Sequence, residues 1–257
     1  MRKDALKICF ALIVILTIPL SFSRGEELAE GERLVRQAVE YYRGLASISV
    51  VEMTVHRPSW ERRMVIKAWT KGISDSLFVI VSPKKDRGNG TLKKGREMWT
   101  YNPKVNRVVR IPPSMMSQSW MGSDFSNNDL AKSDSILTDY VHRVVAKEVR
   151  DGHVVYTVES IPKPDAPVVW GKQVLKIRDD AILLLEEFYD EEMKLVKRLT
   201  GFDIQPLGGK LFPKRWKMEK VGEKDEYTLL EYRELRFVDD LPDYIFTVQF
   251  LRNPKRL

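Results

Sequence analysis

One cysteine and three histidines in 257 residues leave little catalytic or redox chemistry to work with. Cys9 sits inside an apolar N-terminal run, so the remainder of the chain has no disulfide and no thiol nucleophile. His56, His142 and His153 fall on segments that alternate like strands. None has a second His, Cys or carboxylate at helical ligand spacing, which excludes an H-E-x-x-H zinc site. A G-x-S-x-G turn, a phosphate loop and a dinucleotide fingerprint are all missing. Adjacent acids occur at Asp179-Asp180, Glu186-Glu187, Glu191-Glu192 and Asp239-Asp240. Neighbours on a strand point to opposite faces, so such pairs are poorly placed to act on one bond. No nucleophile–base pair can be named, and the expectation is a non-enzyme that needs neither metal nor cofactor. The net charge of +7 is spread among interleaved acids and bases. With no basic block, it describes a solvated surface or one drawn to an anionic membrane, and argues against nucleic acid as a partner.

The N-terminus has the layout of an export signal. Arg2, Lys3 and Lys7 precede the apolar run Ile8 to Leu20, and Ser21-Phe22-Ser23 supplies small residues at a cleavage site. The run is shorter than the roughly 18 residues a spanning helix needs. Residues 1–23 are therefore expected to be a cleaved signal peptide, and the protein to be periplasmic. Cys9 follows Ile8 and comes too early to carry a lipoprotein anchor. Residues 24–257 show no repeat, low-complexity tract or linker and are expected to form one domain.

Glu26 to Arg43 has Leu28, Val35, Ala38, Val39, Tyr42 and Leu45 at helical spacing. Glu26, Glu27 and Glu30 suit the N-terminal end of its dipole, and Gly44 suits its C-terminal stop. Most of the chain beyond Leu45 alternates with period two, broken by Pro58-Ser59, Asn102-Pro103, Asp151-Gly152, Asp179-Asp180 and Gly208-Gly209. Ile245 to Leu251 is expected as the last strand. About eleven strands, mostly hairpin-linked, imply one antiparallel sheet, which at that size must curl. The expected fold is mainly β: an unclosed β-barrel with an N-terminal helix and a short helical lid.

Met98 to Leu130 stands apart. Met98 to Ile111 reads as a hairpin that Pro112-Pro113 ends. The irregular run after it carries Met115, Met116, Trp120, Met121 and Phe125, although loops normally run polar over the surface. Ser126 can cap a helix, with Asp129 completing a capping box and Phe125 and Leu130 forming a hydrophobic staple. Gly122 can supply a positive φ just before it. These features predict an ordered lid feeding a helix from about Asn127 to Ser133. Trp99, Tyr101, Met115, Met116, Trp120, Met121, Phe125 and Leu130 are the candidate ligand contacts, since Met and aromatic side chains adapt to irregular apolar shapes. They either close over a ligand or occupy its place. Gly122, Ser123, Asp124, Ser126 and Asp129 are the candidate lid-turn residues.

The series Asp86-Arg87-Gly88, Met98-Trp99-Thr100-Tyr101-Asn102-Pro103 and Trp120-Met121-Gly122-Ser123-Asp124-Phe125-Ser126-Asn127-Asn128-Asp129-Leu130 resembles the outer-membrane lipoprotein-sorting family, the LolA-like group. Phe188-Tyr189-Asp190, Phe212-Pro213-Lys214-Arg215-Trp216 and Leu241-Pro242-Asp243 fit the same pattern. The resemblance implies an exported half-barrel with a helical lid, carrying lipid or an acylated lipoprotein. An inner-membrane transporter or an outer-membrane receptor would then be its partner. The same superfamily includes envelope sensors, so an adaptor that binds a membrane regulatory partner is the alternative expectation.

Overall fold

The computed structural model describes residues 24–254; the expected signal peptide, residues 1–23, lies outside them. Helix α1 (Arg24–Arg43) leads into a meander of six strands: β1 (Ala46–Arg57), β2 (Trp60–Lys71), β3 (Asp75–Ser82), β4 (Gly90–Lys94), β5 (Glu97–Asn102) and β6 (Arg107–Arg110). Residues 111–139 then cross to a second meander and carry the short helices α2 (Asn127–Ala131) and α3 (Ser135–Thr138). The second meander is β7 (Tyr140–Arg150), β8 (His153–Pro162), β9 (Lys172–Arg178), β10 (Leu183–Tyr189), β11 (Leu195–Leu207), β12 (Lys210–Lys220) and β13 (Tyr227–Val238). A C-terminal helix, α4 (Val248–Arg252), ends the described chain.

All 13 strands lie in one sheet, ordered β6-β5-β4-β3-β2-β1-β13-β12-β11-β10-β9-β8-β7. The two meanders join where β1 pairs antiparallel with β13. β6 and β7 remain as edges, so the sheet is an unclosed barrel. Thirteen strands form against about eleven expected. Among the described residues no helix is long and apolar enough to cross a membrane.

Helix α1 stops where Gly44 adopts φ +61° and its N–H reaches the Glu40 carbonyl at 2.8 Å. Its buried face, Leu34, Val35 and Ala38, packs with Tyr140, Val144, Val158, Leu175 and Ile177 on the inner side of β7 to β9. The approach is close: a Cβ placed on Gly31 would sit 2.7 Å from the His142 carbonyl oxygen.

The first meander is covered on both faces. Val51, Met53, Val55, Met64, Ile66 and Ile80 are buried on its inner side. Trp69, Leu77, Val79 and Leu92 point outward and pack against Leu241, Ile245, Phe246, Phe250 and Leu251. The expected final strand, Ile245 to Leu251, is therefore corrected. It forms a 3-10 turn over Asp243–Phe246 followed by α4, which Thr247 caps by accepting the Phe250 N–H at 3.2 Å. A short apolar run does not distinguish strand from helix by periodicity. The Thr247 cap and the need to cover the outer face of β2 to β5 decide it.

Replacing Gly31 by Ala should reverse the usual sign of a helix glycine-to-alanine change. Propensity alone favours Ala by about 0.5–1 kcal/mol. The clash with β7 backbone instead predicts a loss of about 1–3 kcal/mol, read from the midpoint of denaturant unfolding.

Candidate functional site: a lidded apolar cavity

Two adjoining cavities lie between the inner sheet face, α1 and the crossing segment, with volumes of about 230 Å³ and about 200 Å³. Together they fall in the range of small-ligand pockets, roughly 300–1,000 Å³. Tyr42, Arg43, Phe125, Asp129, Ser133 and Leu230 border both. The larger is walled by β9 to β13, with Leu175, Phe188, Leu199, Trp216 and Met218. The smaller lies over β1 to β3 and is walled by Val51, Ile66, Ala68, Phe78 and Trp120.

The lid is ordered by its own side chains. Trp120 is buried over the first meander, 5.3 Å from the Phe78 ring in an edge-on arrangement, and its indole N–H donates to Thr91 Oγ1 at 3.1 Å. The turn after it is tight, with Met121 at φ +52° and Gly122 at φ +75°. Ser123 Oγ donates to the Trp120 carbonyl at 2.7 Å and accepts the Phe125 N–H at 3.3 Å. Ser126 and Asp129 form a reciprocal capping box: the Ser126 N–H reaches Asp129 Oδ2 at 2.7 Å, and the Asp129 N–H reaches Ser126 Oγ at 3.3 Å. Phe125 and Leu130 pack on the same apolar cluster, as a staple requires.

Three carboxylates of this segment meet cations from three strands. Asp124 is fully buried. It accepts from Arg57 Nη2 at 2.8 Å and Nη1 at 3.2 Å, and from the Thr228 hydroxyl at 2.6 Å. Asp129 pairs with Lys197 on β11, and the two side chains are only 7% and 5% exposed. Asp134 pairs with the buried Lys93 of β4 at 2.9 Å. Lys197 also lies 4.8 Å from the Trp170 ring centre and 5.2 Å from that of Phe188, so a cation–π attraction helps hold it.

Glu186 faces the larger cavity. Burial raises its carboxyl to about 7, nearby Asp129 pushes the same way, and Lys197 opposes both. The Oδ1 atom of Asp129 is buried without a hydrogen-bond partner. The larger chamber thus holds, among its apolar walls, a carboxyl with a raised pKa. A buried Ser–His pair, His142 Nδ1 to Ser160 Oγ at 2.8 Å, lies away from both cavities.

Of the residues expected to contact a ligand, Trp120, Phe125 and Leu130 border a cavity. Trp99 and Tyr101 do not. Both point to the outer face and pack with Leu92, Leu241, Phe250 and Leu251, because Met98, one residue before Trp99, takes the inward position on β5. Met115 is 37% exposed on a 3-10 turn, and Met116 is half-buried. Neither lines a cavity. Their backbone straps the lid instead: the Met115 carbonyl accepts from Asn127 Nδ2 at 3.0 Å, and that of Met116 from the Asn128 N–H at 2.8 Å. Met121 is half-buried against the first meander. Gly122, Ser123, Asp124, Ser126 and Asp129 all lie in the lid turn or its cap. Sequence reasoning missed Tyr42 and Arg43, the wall from β9 to β13, and the cations Arg57, Lys93 and Lys197. For Lys197 a signal existed, since it shares strand parity with apolar Leu199.

Comparisons with known proteins agree with this geometry. A family model described as uncharacterized protein-like matches residues 72–253. A DUF1329 family protein from Desulfovibrio piger superposes with a TM-score of 0.77 at 26% identity, covering 88% of this chain and 99% of that one. A LolA superfamily protein from Nitrosomonas europaea gives 0.70 at 25%, covering 86% and 98%. An outer membrane lipoprotein-sorting protein domain from Vibrio parahaemolyticus gives 0.74 at 22%, covering 88% and 100%. No curated protein sequence matches the chain.

Removing Lys197 should strand a buried carboxylate. Lys197→Met alone is expected to cost about 3–5 kcal/mol in denaturant unfolding, and adding Asp129→Asn should recover much of that. The elevated Glu186 pKa has a definite sign. The folded state holds its proton to higher pH than the unfolded chain, so this group makes stability fall as pH rises from about 4.5 to about 7. Glu186→Gln should flatten that slope, gaining more at pH 8 than at pH 5, by an amount on the order of 2–3 kcal/mol. Unfolding midpoints at the two pH values check it.

Proposed function

We propose that this chain, which belongs to the matched uncharacterized protein-like family and to the LolA-like superfamily, is an exported carrier of lipid or of acylated lipoprotein. In this reading residues 1–23 are removed on export, and residues 24–257 work in the periplasm as one carrier body. The observation that carries it is the pair of adjoining apolar cavities roofed by an ordered lid. Acyl chains gain about 0.8 kcal/mol for each CH2 withdrawn from water. The walls offer Leu, Met, Phe and Trp side chains of the kind that accommodate flexible chains. The cargo would be collected from a transporter in the inner membrane, or delivered to a receptor in the outer one. Lid opening would admit and release it.

Mass spectrometry of lipid extracted from the protein purified out of its native envelope tests the reading. The expected result is a bound amphiphile near one per chain. Phe125 borders both cavities, so Phe125→Ala should speed exchange of that amphiphile by about tenfold, the effect of losing 1–2 kcal/mol of lid packing. A cavity free of lipid, with a stoichiometric membrane protein bound instead, would replace the carrier by an envelope sensor.

A further inference from the structure

The two cavities are apolar along most of their walls, yet one pole is rich in hydrogen-bond donors. Arg43 borders both. Its guanidinium donates to the Gly72 carbonyl from Nε at 2.9 Å, to Ser76 Oγ from Nη1 at 3.1 Å and to the Asp75 carbonyl from Nη2 at 3.0 Å. Every one of these acceptors is neutral. A guanidinium has five N–H groups, so two remain for another acceptor. Among the described residues no carboxylate forms an ion pair with Arg43. The acids that face it are occupied elsewhere: Asp134 holds Lys93 at 2.9 Å, and Asp75 accepts from the Ser74 hydroxyl and the Gly95 N–H. Burial pulls the Arg43 pKa down, the mark of a cation taken from water without a full counter-charge.

Hydroxyls surround this cation on the smaller cavity's wall. Ser47, Ser49 and Ser76 are buried there. Ser76 Oγ accepts from Arg43, which leaves its own proton to donate into the cavity. The hydroxyls of Ser47 and Thr70 bond each other at 2.8 Å, and one proton of that pair also remains. Ser49 lies two residues along the same face of β1, with no side-chain partner among the described residues. Of the acids, Glu186 borders the larger cavity alone, and Asp129, which borders both, is neutralised by Lys197.

We propose that Arg43, with the hydroxyls of Ser49 and Ser76, recognises the anionic headgroup of an amphiphile, a carboxylate or a phosphate, whose chain lies along the apolar walls. The inference rests on the carrier reading and adds the chemistry of the cargo's polar end. A charged headgroup withdrawn from water needs charge-assisted donors to replace its hydration, and this cavity wall supplies a guanidinium and hydroxyls together. The chain then runs over Ile66, Phe78, Trp120, Phe125 and Leu230.

Competitive displacement of a fluorescent fatty acid probe by dodecanoate, dodecyl phosphate and dodecanol isolates the headgroup, because the three share one chain. The purified protein should bind at least one of the anions about tenfold or more tightly than dodecanol, the effect of one or two hydrogen bonds to a charged group. Preference for dodecanoate identifies a free acid as cargo, and preference for dodecyl phosphate a phospholipid. Arg43→Gln should bring the anion-to-alcohol ratio close to one while dodecanol binding persists. Ser49→Ala leaves the Arg43 ties to the β2–β3 turn intact and should lower the ratio severalfold, which keeps the test decisive if Arg43→Gln fails to fold. Equal binding of anion and alcohol by the unaltered protein overturns the headgroup site and leaves the carrier reading standing. Failure of all three, and of the probe, overturns both.

Discussion

The buried carboxylate of Asp124 is the fixed point of this molecule. Residues 111–139 form the one connection between the two meanders, and they must span from one sheet edge to the other. Asp124 ties the middle of that span to β1 through Arg57 and to β13 through Thr228. These are the two strands whose pairing joins the halves of the sheet. A carboxylate with no exposed surface needs such partners, since an unpaired one would cost several kcal/mol. Held there, the segment lies across the inner face, and the cavities form beneath it. The Gly-Ser-Asp-Phe-Ser block has a role at every position: a left-handed turn, a local bond to Trp120, the anchor, a cavity wall and a helix cap.

The sheet adds a second constraint, which settles where the aromatic residues point. An antiparallel strand has two faces, and in the first meander both are apolar. The inner face has the lid. The outer face must be covered as well, and the chain does this with its own C-terminus, Leu241 to Leu251. Trp99 and Tyr101 belong to that outer layer. Their large apolar area contributes to holding the C-terminal segment in place, and the residues of opposite parity face the inner side. In the second meander, among the described residues, helix α1 covers the inner side of β7 to β9, and the outer side shows exposed Val141, Val145 and Phe202.

How far the sequence was legible depends on the range of the interactions involved. Period-two alternation, helical spacing, turn residues and the capping box act within a few residues, and they point to the curled sheet, α1 and the lid turn. The C-terminal helix was misread because seven mostly apolar residues satisfy strand and helix alike. Its true partner is a sheet face formed some 150 residues earlier in the chain. The cations opposite the lid carry the same lesson. Arg57, Lys93 and Lys197 look like ordinary surface charges until the fold places Asp124, Asp134 and Asp129 against them. Arg43 reads in sequence as the basic end of a helix, and only the sheet's curl turns it toward the cavities.

The three ion pairs are unequal, and the inequality has a direction. Asp124 is held by a two-pronged guanidinium contact and a hydroxyl, with no exposed surface. Asp129 has one ammonium and its own cap, an oxygen with no partner, and Glu186 repelling it from the cavity floor. When the segment lifts, water rehydrates both members of a pair and offsets much of the lost attraction. That compensation is largest where the buried arrangement was poorest. The orphaned Asp129 oxygen and the crowded Glu186 both gain from hydration, whereas Asp124 has little to recover. Opening therefore costs least at the α2 end, above the larger cavity, and most at the Asp124 end. Under the proposed carrier function, a lid built this way would expose an apolar chamber while its anchor stays in place.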